Sequence, residues 1–230
     1  MKNENVATKP RIWGKRLLLG GLFFVALLFV ANMIWMFSGS KQWEFVGEEN
    51  GVKVYSLKTP GTTLKQFKGV VRLHSTLAGV MAQAMDDQTL KRMGAYDGHF
   101  LGGDQHLQYI SFRMDTSPRF LFRPRQHVFS AIMYQNPKNN EILYMVRAAP
   151  DKIPPNDCCF RVTSMNNSWR FAPVENGEVE VEWMLNEDLG GFIPAFVQNN
   201  KWPKLMFSFL GGLRDNIDKY QSAKIDFIKE

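Results

Sequence analysis

Residues 168–199 read SWRFAPVENGEVEVEWMLNEDLGGFIPAFVQN, and the order of signals within them decides the fold. Ser168, Trp169, Arg170 and Phe171 close a strand-like run, Glu175-Asn176-Gly177 carries turn chemistry, and residues 178–188 form a second run. Gly190-Gly191 breaks that run. Beyond the break, Ile193, Phe196, Val197, Leu205, Phe209, Leu213 and Ile217 mark an amphipathic helix that Pro203 is predicted to interrupt.

The rest of the chain supplies strands for that helix to pack on. Gly51-Val52-Lys53-Val54-Tyr55 alternates with period two, as do residues 64–74, which have a glycine at their centre. Pro60-Gly61 between them predicts a hairpin. In residues 76–85 the period changes: Leu77, Val80, Met81, Ala84 and Met85 recur at helical steps, Thr76 caps the start, and Asp86-Asp87 closes it. Runs at 106–114, 126–135, 141–148 and 160–171 are again strand-like, separated by Ser117-Pro118, Asn136-Pro137 and Pro154-Pro155-Asn156-Asp157. The expected fold is α+β: a strongly curved antiparallel sheet, a short helical insert and one long closing helix, enclosing a volume for side chains or a ligand.

The N-terminus adds a different kind of element. Residues 17–37 contain no charge, and 21 residues of helix reach about 31 Å, the thickness of a bilayer's hydrocarbon core. Lys2, Lys9, Arg11, Lys15 and Arg16 precede this run against Glu4 alone, so the positive-inside bias keeps the N-terminus cytoplasmic and sends the remainder across. The run exceeds a usual signal-peptide core and lacks a clear A-x-A site, which favours an uncleaved anchor over a cleaved leader. The expected layout is a cytoplasmic tail at 1–16, a transmembrane anchor at 17–37, a linker at 38–42, a periplasmic or otherwise extracytoplasmic domain at 43–222 and a tail at 223–230. Of 28 basic and 22 acidic residues, five and one precede Leu17, leaving 23 against 21 and a net charge of +2. No basic cluster remains for nucleic acid. Adjacent Cys158 and Cys159 cannot staple distant loops, and are read as two small residues at a strand start rather than a strained vicinal disulfide.

Residues 43–220 resemble the START domain, the steroidogenic-acute-regulatory-protein-related lipid-transfer family, in a membrane-anchored, bacterial-type form. The resemblance rests on Trp169-x-x-x-Pro173, the Asn176-Gly177 turn and strand, and Asp188-x-Gly190-Gly191-x-Ile193-Pro194 followed by Asn199. Pro124-Arg125-Gln126-His127-Val128 resembles the family's P-R-D-F/L-V, with Gln126 in place of Asp. It implies a helix-grip fold whose apolar tunnel holds one lipid or sterol-like molecule for binding and transfer. Phe112 and Ala131 stand where sterol-binding relatives carry a facing acid and arginine, so anchoring by that ion pair is not expected.

The candidate site follows from these readings. Phe120, Leu121 and Phe122 form an apolar tip in a loop between strands, and Arg119, Arg123 and Arg125 beside it suit anionic headgroups. Together they predict a lid that touches membrane. Phe112, Ala131, Phe192, Ile193, Phe196, Val197 and Phe209 are the expected tunnel residues, with Arg147 as a polar contact if its strand face turns inward. His74, His99, His106 and His127 lack metal or nucleophile spacing, and no phosphate loop or G-x-S-x-G elbow occurs. No catalytic residue, metal or cofactor is therefore expected. Lipid and membrane are the expected partners.

Overall fold

The computed structural model describes residues 9–116 and 118–230; Lys2 and Glu4 of the charge pattern and Ser117 of the expected turn lie outside them. Helix α1 (Lys9–Phe37) is followed by β1 (Trp43–Glu49), β2 (Val52–Leu57), β3 (Gln66–His74), α2 (Leu77–Met85) and α3 (Asp87–Arg92). Then come β4 (Ala95–Gly103), β5 (Leu107–Met114), β6 (Arg125–Gln135), β7 (Ile142–Ala148), β8 (Phe160–Arg161), β9 (Ser164–Val174), β10 (Glu178–Leu185), β11 (Glu187–Asp188) and α4 (Ala195–Asn216). The sheet order is β1-β2-β3-β10-β9-β7-β6-β5-β4, with β11 paired to β9 and β8 to β6. Only the short β8–β6 pairing is parallel among the described residues. The architecture is α+β: a large curved antiparallel sheet, a long C-terminal helix laid on β1, β2 and β3, and one N-terminal apolar helix.

Strict alternation builds the central strands. In β10, Val179, Val181, Trp183 and Leu185 are buried while the intervening glutamates reach the outer face. Trp183 lies opposite Trp169 of β9, and their indoles stack with centroids 4.8 Å apart. Phe209 of α4 packs against both rings at 5.6 and 5.3 Å. At the next residue, α4 meets β3 so closely that a Cβ on Gly69 would stand 2.5 Å from Leu210 Cδ1. Glycine at the centre of β3 is what lets the helix sit down on the sheet.

Helix α1 is fastened to the sheet by several hydrogen bonds at its C-terminal end. Lys58 is only 4 % exposed, and its ammonium donates to the carbonyls of Met36, Ser38, Thr59 and Thr62. It thus satisfies carbonyls at the end of α1, which a helix terminus otherwise leaves without donors. Gly61 N donates to Met36 O at 2.8 Å and Trp35 Nε1 to Thr63 O at 2.9 Å. Asn199 of α4 donates to the same Thr63 carbonyl. Gly39 adopts φ +125°, and a Cβ there would lie 2.3 Å from Lys58 O, so only glycine fits this crossing.

The fold differs from the sequence-based expectations at several points. The run at 160–171 is two strands, β8 and β9, and the run at 178–188 divides into β10 and β11. Two strands, β1 and β4, and helix α3 went unpredicted. Helix α4 begins at Ala195, so Phe192 and Ile193 precede it, and it continues through Pro203 because Trp202 and Met206 are buried on either side. Cys158 and Cys159 form a vicinal disulfide in an exposed turn before β8, not a pair of small packing residues. Arg125 is no membrane contact: it is 3 % exposed, donates to the carbonyls of Arg123, Leu189 and Gly190, and lies over the Phe160 ring. It fixes the turn that leads into α4. Arg125→Ala is therefore expected to lower stability by about 2–4 kcal/mol through carbonyls left without a donor, whereas Arg119→Ala, at an exposed surface pair with Asp115, stays within about 0.5 kcal/mol. Urea denaturation of the two variants checks this, and equal effects would contradict it.

Candidate ligand cavity

Helix α4 fits tightly over β1 to β3 and stands away from the other half of the sheet. The gap is a cavity of about 170 Å³, walled by α2, α3, β4 to β7, β9 to β11 and α4. Its wall is mainly apolar. Phe112, Phe129, Trp169, Trp183 and Phe209 supply broad rings, while Met81, Met85, Met93, Met114 and Met165 supply unbranched, adaptable side chains. A dry apolar cavity of about 150 Å³ is enough to bind benzene, and methionine walls can yield to something longer.

A small group of polar residues interrupts this apolar wall. His127 on β6 and Glu187 on β11 both line the cavity, and His127 Nε2 stands 2.7 Å from Glu187 Oε1 with both side chains almost wholly buried. Asn167 donates to Glu187 Oε2 at 3.2 Å, and its own carbonyl accepts from Asn186 N, which sets the amide's orientation. Phe112 stacks on the imidazole at 4.7 Å. His127 Nδ1 is buried and has no hydrogen-bond partner among the described residues. Burial depresses the Lys201 ammonium below its ordinary value, with Glu187 pulling in the opposite direction. Burial pushes the Tyr144 phenol, also in the wall, up to about 12, so it stays a neutral hydroxyl. Among the described residues no group of three His, Cys, Asp or Glu side chains is placed to hold a metal ion.

Of the residues singled out in the sequence, Phe112 and Phe209 stand in the cavity wall. Ala131 is buried on β6 outside the wall, Ile193 is buried ahead of α4, and Val197 packs on the core. Arg147 faces outward, so the condition for a polar contact is not met: it points away from the cavity on the face of β7 opposite Tyr144 and Val146, and donates to the Asn167 carbonyl. Phe192 and Phe196 also leave the tunnel, since Phe192 is 99 % exposed and Phe196 mostly so. In the loop before β6, Phe120 is 85 % exposed, Leu121 and Arg123 are exposed too, and Phe122 packs against the core. The His127–Glu187 pair was missed because its members are 60 residues apart in sequence. One signal was available: His127 occupies the Phe/Leu position of the P-R-D-F/L-V pattern.

No protein-family model matches the chain. An uncharacterized protein of Pseudomonas aeruginosa is 22% identical over 181 residues, covering 78% of this chain and 89% of its own length. Among solved structures, a STAR-related lipid transfer protein fragment from Xanthomonas axonopodis superposes with a TM-score of 0.67 at 23% identity, covering 76% of this chain and 98% of the fragment. Human StAR-related lipid transfer protein 5 gives a TM-score of 0.66 at 16% identity, over 77% of this chain and 87% of its own. With its curved antiparallel sheet closed by a long C-terminal helix, the chain has the helix-grip fold of the START domains.

Proposed function

We propose that the protein binds a single hydrophobic molecule in the cavity beneath α4 and exchanges it with the membrane in which α1 is embedded, without chemical change to the ligand. The observation that carries this reading is the mainly apolar cavity beneath α4, set in a fold shared with proteins named for lipid transfer. Each buried CH₂ of a ligand contributes about 0.8 kcal/mol, so such a wall competes with a bilayer without strong polar contacts. Helix α1 contributes 25 residues, Trp13–Phe37, long and apolar enough to cross a membrane, and the protein buries none of them. The basic residues ahead of it favour a cytoplasmic N-terminus and an extracytoplasmic domain. The vicinal disulfide supports that side, because disulfides persist in oxidising compartments.

Exposed aromatic residues support direct contact with the bilayer. Phe192, Phe196, Phe120 and Leu121 stay in water at a cost unless another surface covers them. Phe196 stands one helical turn from Asn199, whose side chain shares the Thr63 carbonyl with Trp35 of the anchor. The end of the domain that carries α1 is therefore the end that presents Phe196. A second reading, an enzyme with acid–base chemistry in the same cavity, is favoured by one observation, the buried His127–Glu187 pair.

Native mass spectrometry of the full chain in lipid nanodiscs, followed by solvent extraction, is expected to find one hydrophobic molecule per chain, recovered unchanged after exchange between vesicles. A chain that emerges empty and takes nothing from vesicles would end the binding reading, and a chemically altered molecule would replace it with the enzyme. The double variant Phe120→Asp, Phe192→Asp is expected to slow vesicle exchange several-fold while the urea midpoint moves by no more than about 0.5 kcal/mol equivalent, since both rings are exposed. Unchanged exchange would show that these rings do not meet the membrane.

A further inference from the structure

A hydrophobic ligand needs only apolar walls, yet this cavity contains a buried imidazole hydrogen-bonded to a buried carboxylate. Proton counting constrains what that pair can offer. If His127 is an imidazolium beside an ionised Glu187, Nδ1 carries a hydrogen. If Glu187 is protonated and donates to Nε2, the neutral imidazole carries its hydrogen on Nδ1. Both arrangements are neutral as a pair. The third, a carboxylate accepting from a neutral Nε2–H, leaves a net negative charge in an apolar cavity, at a desolvation cost that needs a nearby cation. Among the described residues no ion pair joins Arg125 or Lys201 to Glu187: Arg125 donates to the carbonyls of Leu189 and Gly190, and the charged-group partner of Glu187 is His127. In both neutral arrangements of the pair Nδ1 is a hydrogen-bond donor, and it is the one atom of the cluster without a partner among the described residues. Asn167 and Asn186 fix the carboxylate from the other side, so the donor is held in position and not free to turn toward another acceptor.

We propose that His127, oriented by Glu187 and Asn167, receives the polar end of the ligand, and that the ligand is an uncharged molecule with a carbonyl or hydroxyl oxygen at the end of an apolar body. This assignment rests on the binding function proposed above and adds the ligand's chemical class. A carboxylate or phosphate end is selected against, because it would bring a net negative charge into an apolar cavity beside a pair that is itself neutral. A pure hydrocarbon fits the walls but leaves the donor unsatisfied.

The test uses the full chain in lipid nanodiscs, labelled with ¹⁵N-histidine and titrated with 2-octanone, octane and octanoate against empty nanodiscs. The ketone is expected to bind about tenfold tighter than octane, the value of one hydrogen bond made at an otherwise orphaned donor, and to shift the His127 Nδ1 resonance, with octanoate weakest. In His127→Phe, apolar and close in size, the preference for ketone over octane is expected to fall to within about twofold. The wild-type resonance carries the test if that variant fails to fold. Ketone and octane binding equally with Nδ1 unmoved would overturn the polar site while leaving hydrophobe binding intact. Octanoate binding tightest would overturn the uncharged class. If none of the three binds, both the site and the binding function fall.

Discussion

The contact between Leu210 and the bare backbone of Gly69 sets the height at which α4 rides over the sheet. Met206 and Leu210, both fully buried, hold the helix down on β3, and Phe209 turns from the same face onto the stacked Trp169 and Trp183. Those indoles act as a spacer. On the β1–β3 side of them the helix is in close contact with strands; on the other side the sheet curves away faster than the helix follows, and the cavity opens. Large rings at two facing positions and a missing side chain at a third are enough to make half of the interface solid and half hollow. A bulky residue at position 69 would lift α4, and the cavity's shape would change with it.

Much of this is legible in the sequence. The alternation of 51–55 and 64–74, the Thr76 cap and the order strand, turn, strand, Gly-Gly, helix in 168–199 each name an element whose burial pattern matches its period. The unpredicted strands are those with weak alternation: β1 is largely exposed with a bulge after Phe45, and β4 contains three glycines and two register shifts. Pro203 shows tertiary packing overriding a local signal, since burial of Trp202 and Met206 keeps the helix going.

The candidate site was harder to read, for reasons that differ by residue. Phe112 and Phe209 follow from face and period. Arg125 looked like a surface cation because neighbours in sequence are arginines, and nothing local announces that carbonyls at 189 and 190 will converge on it. His127 and Glu187 meet only because β11 folds back alongside β9 at the rim of the sheet. Pairings made by sheet closure leave no spacing signature, and polar residues inside an otherwise apolar cavity are of that kind. Exposure misled in the opposite direction: Phe192, apolar and beside the helix, points outward from a Gly-Gly turn whose positive φ angles aim it away from the core.

In the proposed membrane-bound state, the Lys58 clamp at the end of α1 sets how this domain would meet other molecules. Four carbonyls on one ammonium, a shared acceptor at Thr63 and a glycine pressed against Lys58 O leave no swivel between helix and sheet. If α1 lies in a bilayer as proposed, these ties carry the domain with its helix, and the remaining motions are drift in the membrane plane and spin about the helix axis. Encounters with a donor or acceptor of ligand then become a two-dimensional search at one fixed presentation angle, and the tilt of a single helix becomes the variable that raises or lowers the aromatic rim against the headgroups.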